Sequence, residues 1–264
     1  MQRSMTILLV VCTLLSCGAC IANAQGEQAA ASAQAMKTKV NPKDGAKLVL
    51  IPAGEFLVGD DDMLRYGSPF RHTETIPGYW IYKDLVTVGM YKKFCKDTDR
   101  KMPPEPVFPA GNHFNPDWSK EDHPMVNITM DDAISYGKWA FGDDNNHLPS
   151  GKQFEKAARG RKGFKFPWGD TFDLTKVWGS KSVMGDCKGT CPVGKYGISP
   201  YGVSDMAGNT WQWCADLWDK TRCIVRGGSW TCVGEREFRP TFRLIPFPVG
   251  NIAYDVGFRC IAAL

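Results

Sequence analysis

Apolar residues in this chain gather in short runs separated by glycine, proline and asparagine. The runs at Lys47–Ile51 and 55–59 have strand length and flank Pro52-Ala53-Gly54, which predicts a hairpin. Another strand is expected at 79–83. Thr87 then stands before a helical pattern over 88–96, with Met90, Tyr91 and Phe94 on its apolar side. Thr129 with Asp132 approximates a capping box for a helix over 131–141 that carries Ile134 and Trp139. Leu148-Pro149-Ser150 starts a third helix, Gly151–Arg159, with Phe154 and Ala158 at i, i+4 spacing. Strands are expected at 224–226, 238–244 and 256–261. Residues 102–124, rich in proline, asparagine and aromatics, read as a long surface loop, and 166–170 as a turn.

The stretch 201–230 stands out. Trp211, Trp213 and Trp218 are followed by Gly227-Gly228-Ser229-Trp230. Trp211 and Trp213 fall on one face of an extended segment. Asp205, Asn209, Gln212 and Asp216 supply oxygens beside them, so the stretch reads as a buried aromatic platform with a polar turn able to hold an ion.

Composition sharpens the class. Residues 1–24 have one early arginine, an apolar run from Ile7 to Leu15 and an Ala22-Asn23-Ala24 end, the form of a signal peptide. Leu14-Leu15-Ser16-Cys17 competes as a loose lipobox with Cys17 acylated. The mature chain is therefore expected in the periplasm or secreted, or alternatively as an outer-membrane lipoprotein. Residues 25–45 read as a flexible linker, and 46–264 as one domain of about 220 residues. The formal net charge of +4, with signs interspersed, does not suit nucleic acid. A membrane enters only through lipidation at Cys17. Of the ten cysteines, Cys95, Cys187, Cys191, Cys214, Cys223, Cys232 and Cys260 lie beyond the leader. In an oxidising compartment disulfides are the default. Cys187 with Cys191, and Cys214 with Cys223, are candidate pairs.

The motif order carries a resemblance: IPAGEFLVGD (51–60), VTVGMYKKFC (86–95), HPMVNITMDDAISYGKWA (123–140), LPSGKQFEKAARG (148–160), FPWGD (166–170), CPVGKYGISPYGVSDMAGNTWQWCADLW (191–218), RGGSW (226–230) and GFRC (257–260). Together these are similar to the formylglycine-generating enzyme, or sulfatase-modifying factor, family, including its exported PvdO-like branch. The resemblance implies an α+β fold related to C-type lectins, with short antiparallel strands, few helices and abundant coil. It also implies an oxidase that converts a substrate cysteine to formylglycine with O₂, using Cu(I) held by two cysteines.

Carried over residue by residue, the resemblance puts Cys232 at the first copper position and Glu237 at the second. A carboxylate is a hard ligand and does not replace a thiolate for linear Cu(I). Copper-dependent formylglycine generation is thereby disfavoured. Cys232, Ser229 and Trp211 remain the residues that would line a catalytic site. The usual partner of Cys260 corresponds to Gly137, so a Cys232–Cys260 bond is expected ahead of a reactive Cys232. A calcium site maps onto Asp205, Gly208, Thr210 and Gln212, with one carboxylate where calcium prefers several. A hydrogen-bonded turn is the equal alternative. A second calcium site maps to Lys176, Val177 and 185–187, where the lysine is adverse. His72, His113, His123 and His147 form no HxxxH or HExxH pattern. Of the arginines at 222, 226, 236, 239, 243 and 259, many are expected buried and paired.

Two functions follow. One is an oxidative maturation factor acting on a peptide or protein substrate. The other is a non-catalytic binding or scaffold protein of the cell envelope, presenting loops 100–124 and 233–255 to a partner.

Overall fold

The computed structural model describes residues 36–108, 111–180 and 188–264. The leader, the lipobox at Cys17, Cys187 and the 185–187 part of the second calcium site lie outside the described residues. Contacts separate Met1–Lys37 from Thr38–Leu264, and every described strand and helix lies in the second unit.

One sheet has the order β1 (Thr38–Val40), β2 (Lys47–Ile51), β5 (Tyr79–Tyr82), β12 (Ile261–Ala263), antiparallel throughout. Alternation along its strands uses both faces. Val49, Ile51, Tyr79 and Ile81 point to one core, while Leu48 and Tyr82 point to another. Both faces are covered, so the apolar runs are nearly continuous rather than half polar. Helices α1 (Val88–Asp97) and α2 (Met130–Phe141) pack into the larger core, and α3 (Gly151–Arg159) into the smaller. All three start as their sequences require. Thr87 caps Met90 N, and Thr129/Asp132 and Ser150/Gln153 form full capping boxes.

The second sheet has the order β10 (Leu244–Pro248), β9 (Arg222–Arg226), β8 (Trp211–Leu217), β11 (Val256–Gly257), with β11 parallel to β8. Two small ribbons complete the set among the described residues: β3 (Gly54–Val58) with β4 (His72–Ile76), and β6 (Val107–Phe108) with β7 (Asn112–His113).

Several expectations change. β2 and β3 do not form a hairpin, because β3 turns away to pair with β4. Lys156 of α3 holds that corner, its Nζ donating to Pro52 O (2.7 Å) and Gly54 O (2.9 Å). The strand expected at 238–244 is a 3-10 turn, Glu235–Phe238, followed by β10. Pro240 interrupts the run and gives its carbonyl to Arg226 Nη1 (2.6 Å). The strand expected at 256–261 is split into β11 and β12, which join different sheets. The loop 102–124 is not purely superficial: Phe114 and Trp118 are buried. The last residues of the expected 25–45 linker are ordered. β1 pairs with β2, and Asn41 Nδ2 donates to Tyr82 Oη (2.9 Å) and Ala140 O (3.1 Å). Polar contacts, not apolar bulk, secure that segment, so its composition read as linker.

The proposed cysteine pairings also change. Cys214 faces the smaller core and Cys223 the larger, on opposite sides of the β8–β9 ribbon, and both thiols are free. Cys232 and Cys260 are likewise free and buried, rather than bonded to each other.

Helix α3 carries charge into the interior. Glu155 and Arg159 form an ion pair with neither side chain more than 1% exposed. Glu155 also accepts from Gly59 N (2.6 Å) and lies 3.5 Å from Arg226 Nη1. Arg159 donates onward to the carbonyls of Gly59, Gly163 and Phe164. Removing the shared carboxylate leaves two buried guanidinium groups uncompensated. Glu155→Ala is expected to cost about 3–5 kcal/mol in denaturant unfolding, against less than about 1 kcal/mol for exposed Asp144→Ala.

Candidate functional site

The turn Gly227-Gly228 brings Ser229–Cys232 out of β9 and against the segment before β11. Gly228 has φ +74, and a Cβ there would meet Glu237 O at 2.7 Å, so this close approach requires glycine. Ser229 Oγ and Thr231 Oγ1 each lie 3.0 Å from Asp255 Oδ2 and 2.8 Å from each other. Ser229 is buried, while Thr231 and Asp255 are half-buried. Burial raises the Asp255 carboxyl above the usual range, and the two hydroxyls partly oppose this. Cys232 Sγ accepts from Ser229 N (3.2 Å) and sits 3.7 Å from Ser229 Oγ. Burial pushes its thiol up to about 12.

Glu237 is already engaged. Its Oε2 accepts from Val233 N (3.2 Å) and Gly234 N (2.9 Å), closing the 3-10 turn after Cys232. A single buried thiol beside a carboxylate committed to backbone N–H groups does not fit Cu(I), which wants two thiolates.

Trp211 reaches this region from β8, its N–H donating to Asp255 O (2.9 Å). Its ring packs on Phe242, and Phe242 on Tyr66. Beside Ser229, Trp230 gathers Phe108 and Phe114 from the first long loop and Tyr254 from the second, at centroid distances of 5.0–6.0 Å. The two loops proposed from sequence thus converge on one site. Val107, Val233 and Ile252 in these loops are exposed. A separate depression of 440 Å³, lined by Lys39, Lys43, Leu48, Trp139 and Phe141 among others, lies at β1 and α2 and takes no part in this constellation.

The four residues of the mapped calcium set are also together and buried. Asp205 and Asn209 adopt left-handed φ of 51° and 67°. Asp205 Oδ2 accepts from Gly194 N (2.8 Å) and Ser204 Oγ (3.2 Å), and Oδ1 from Asn209 Nδ2 (3.3 Å). Gly208 O accepts from Thr210 N (2.9 Å). Gln212 gives its oxygen to Arg259 Nε (2.7 Å) and turns its amide nitrogen to Asp205 O (2.6 Å). Both roles are fixed by their partners, since Nε can only donate and a carbonyl can only accept. Gln212 thus presents a donor, not an oxygen, to the turn. The donor set does not fit a dication. Among the described residues, no three His, Cys, Asp or Glu side chains converge on one point.

A model of the Sulfatase-modifying factor enzyme 1-like domain matches residues 32–264. The chain belongs to this FGE-sulfatase family. It is 29% identical over 237 residues to the formylglycine-generating enzyme of Thermomonospora curvata, covering 76% of this chain and 74% of the relative. It is 32% identical over 160 residues to the inactive C-alpha-formylglycine-generating enzyme 2 of Bos taurus, covering 53% and 50%. The structure of PvdO from Pseudomonas aeruginosa shares the fold at TM-score 0.72 and 22% identity, over 86% of this chain and 98% of the other. Treponema denticola variable protein 1 shares it at TM-score 0.68 and 19% identity, over 87% and 99%. The α+β, formylglycine-generating-enzyme-like fold related to C-type lectins is thus established for this FGE-sulfatase member.

Reading the sequence identified Ser229, Cys232 and Trp211 but missed Thr231 and Asp255. Asp255 stands two residues before GFRC, and only the parallel pairing of β11 with β8 brings it to Ser229. Two measurements check this site. Alkylation with peptide mass spectrometry should leave Cys232 and Cys260 unmodified in the folded protein and modify both after unfolding without reductant. The Asp255 carboxyl, raised in the folded state, stabilises most below the ordinary carboxylate range and loses that contribution as pH rises through its folded value. Wild type should therefore lose stability relative to Asp255→Asn as pH rises from about 4 through the raised folded-state value, as read by urea midpoints across pH.

Proposed function

We propose that this chain is an exported, non-catalytic binding member of the FGE-sulfatase family that engages a peptide or protein partner of the cell envelope through loops 100–124 and 233–255. The observation that carries the reading is the state of the second copper position. Glu237 stands there with its carboxylate committed to Val233 N and Gly234 N, which leaves Cys232 as a single thiol at this place. Kinship does not decide the matter, because the chain resembles both a formylglycine-generating enzyme and an inactive counterpart at comparable identity. The rims of the two loops carry exposed Val107, Val233 and Ile252 around a packed aromatic floor of Phe108, Trp230 and Tyr254. Apolar rim residues over a rigid floor suit recognition of an extended partner.

Export rests on the leader pattern at residues 1–24. Soluble periplasmic release is favoured over acylation at Cys17, because Leu15 fits a lipobox only loosely. The Ser229–Thr231–Asp255 constellation favours a second reading, a copper-independent oxidative maturation factor for a peptide substrate.

Oxygen uptake separates the two. With Cu(I) and a cysteine-containing peptide, and again without added metal, wild type is expected to consume O₂ no faster than Cys232→Ala and Ser229→Ala. Uptake above both controls would overturn the binding reading. Intact mass of the exported chain should place the mature N-terminus at Gln25.

A further inference from the structure

The polar turn of 204–212 folds around a cation, and that cation belongs to the protein. Arg259 is fully buried. Its Nε donates to Gln212 Oε1, Nη1 to the carbonyls of Tyr82 and Lys83 (3.1 Å each), and Nη2 to Ser204 O (2.7 Å) and Asp205 O (3.4 Å). Five donor contacts use the whole guanidinium fork. They satisfy carbonyls of the β5 end and of the turn together with the Gln212 side-chain oxygen.

The carboxylate of the turn is satisfied as well. Gly194 N, Ser204 Oγ and Asn209 Nδ2 donate to Asp205. Asn209 completes the cage by pairing both ways with the Cys191 backbone, Nδ2 to O (3.2 Å) and N to Oδ1 (3.0 Å). The remaining side chain is Gln212, and its identity is decisive. Its oxygen serves the arginine, and its NH₂ fills the place facing Asp205 O at 2.6 Å. A carboxylate at 212 would keep the first contact but set an anionic oxygen against that carbonyl, a repulsion relieved only by a cation between them.

We infer that Gln212 is the residue that makes this turn metal-independent, its oxygen held by Arg259 and its amide nitrogen set against the Asp205 carbonyl. The inference rests on the donor set alone and is separate from the reading of the loops and of Cys232. Within this set a dication would meet one carboxylate, a buried guanidinium and an amide donor, while the Asp84 carboxylate lies outside it, held on Ser204 Oγ.

The test uses full-length mature protein and calcium alone. Wild type, dialysed against a chelator and then returned to millimolar calcium, is expected to keep the same melting temperature within about 1 °C, and elemental analysis should find no stoichiometric calcium after purification. Gln212→Glu is expected to melt lower than wild type in chelator and to recover by about 5–10 °C at calcium a hundredfold above its Kd. Stoichiometric calcium in wild type, or a chelator-dependent fall in its melting temperature reversed by calcium, would overturn the inference. A folded Gln212→Glu that ignores calcium would overturn the role given to Gln212. If that variant does not fold, the wild-type metal content and melting temperature decide alone.

Discussion

The buried guanidinium of Arg259 ties together parts of the chain that are far apart in sequence. It holds the end of β5 through Tyr82 and Lys83, the turn at Ser204 and Asp205, and β8 through Gln212. It also lies in the short interval between β11 and β12, where the chain passes from one sheet to the other. Burial lowers its pKa to about 10, and Asp205 opposes that loss. The group therefore stays charged at neutral pH and must be solvated by the protein. Carbonyls from three segments provide that solvation, so placing one charge fixes the relative position of both sheets. The candidate site inherits this order, because Asp255 precedes Arg259 by four residues and meets Ser229 only when β11 lies beside β8.

A second polar centre works in the same manner around α3. Glu155, Arg159 and Lys156 are all buried, and each satisfies main-chain groups of the β2–β4 region. A fold with abundant coil needs such devices. Coil leaves N–H and C=O groups without ladder partners, and buried side-chain charges supply them. This explains why Arg226, Arg239 and Arg259 are interior, as the family resemblance implied for the late arginines. It also explains why removing a partner is expected to cost more than trimming an apolar side chain at the surface.

Around Ser229 the site is held by backbone geometry and packing. Gly228 permits the close approach to Glu237, Ser229 and Trp211 both meet Asp255, and Trp230 packs on Phe108, Phe114 and Tyr254. The Glu237 carboxylate is bound to backbone amides, and the Asp255 carboxyl is held by two hydroxyls. Shape and donor set are separate properties of such a site, because packing depends on volume and metal binding on donor type.

The sequence by itself determined the family, the three helices and their caps, and the central strands at Lys47–Ile51 and Tyr79–Tyr82. These rest on local period, capping side chains or residue identity, which need no partner from elsewhere in the chain. Tertiary structure decided the rest. The β2–β3 hairpin failed because a lysine about a hundred positions away claimed its corner carbonyls. The expected strand at 256–261 divided because Arg259 had to turn inward. Cys232 and Cys260 stayed apart, Asp255 joined Ser229, and Gln212 turned its nitrogen rather than its oxygen to the turn. Each of these depends on where a distant donor or acceptor comes to lie, and linear order does not contain that distance.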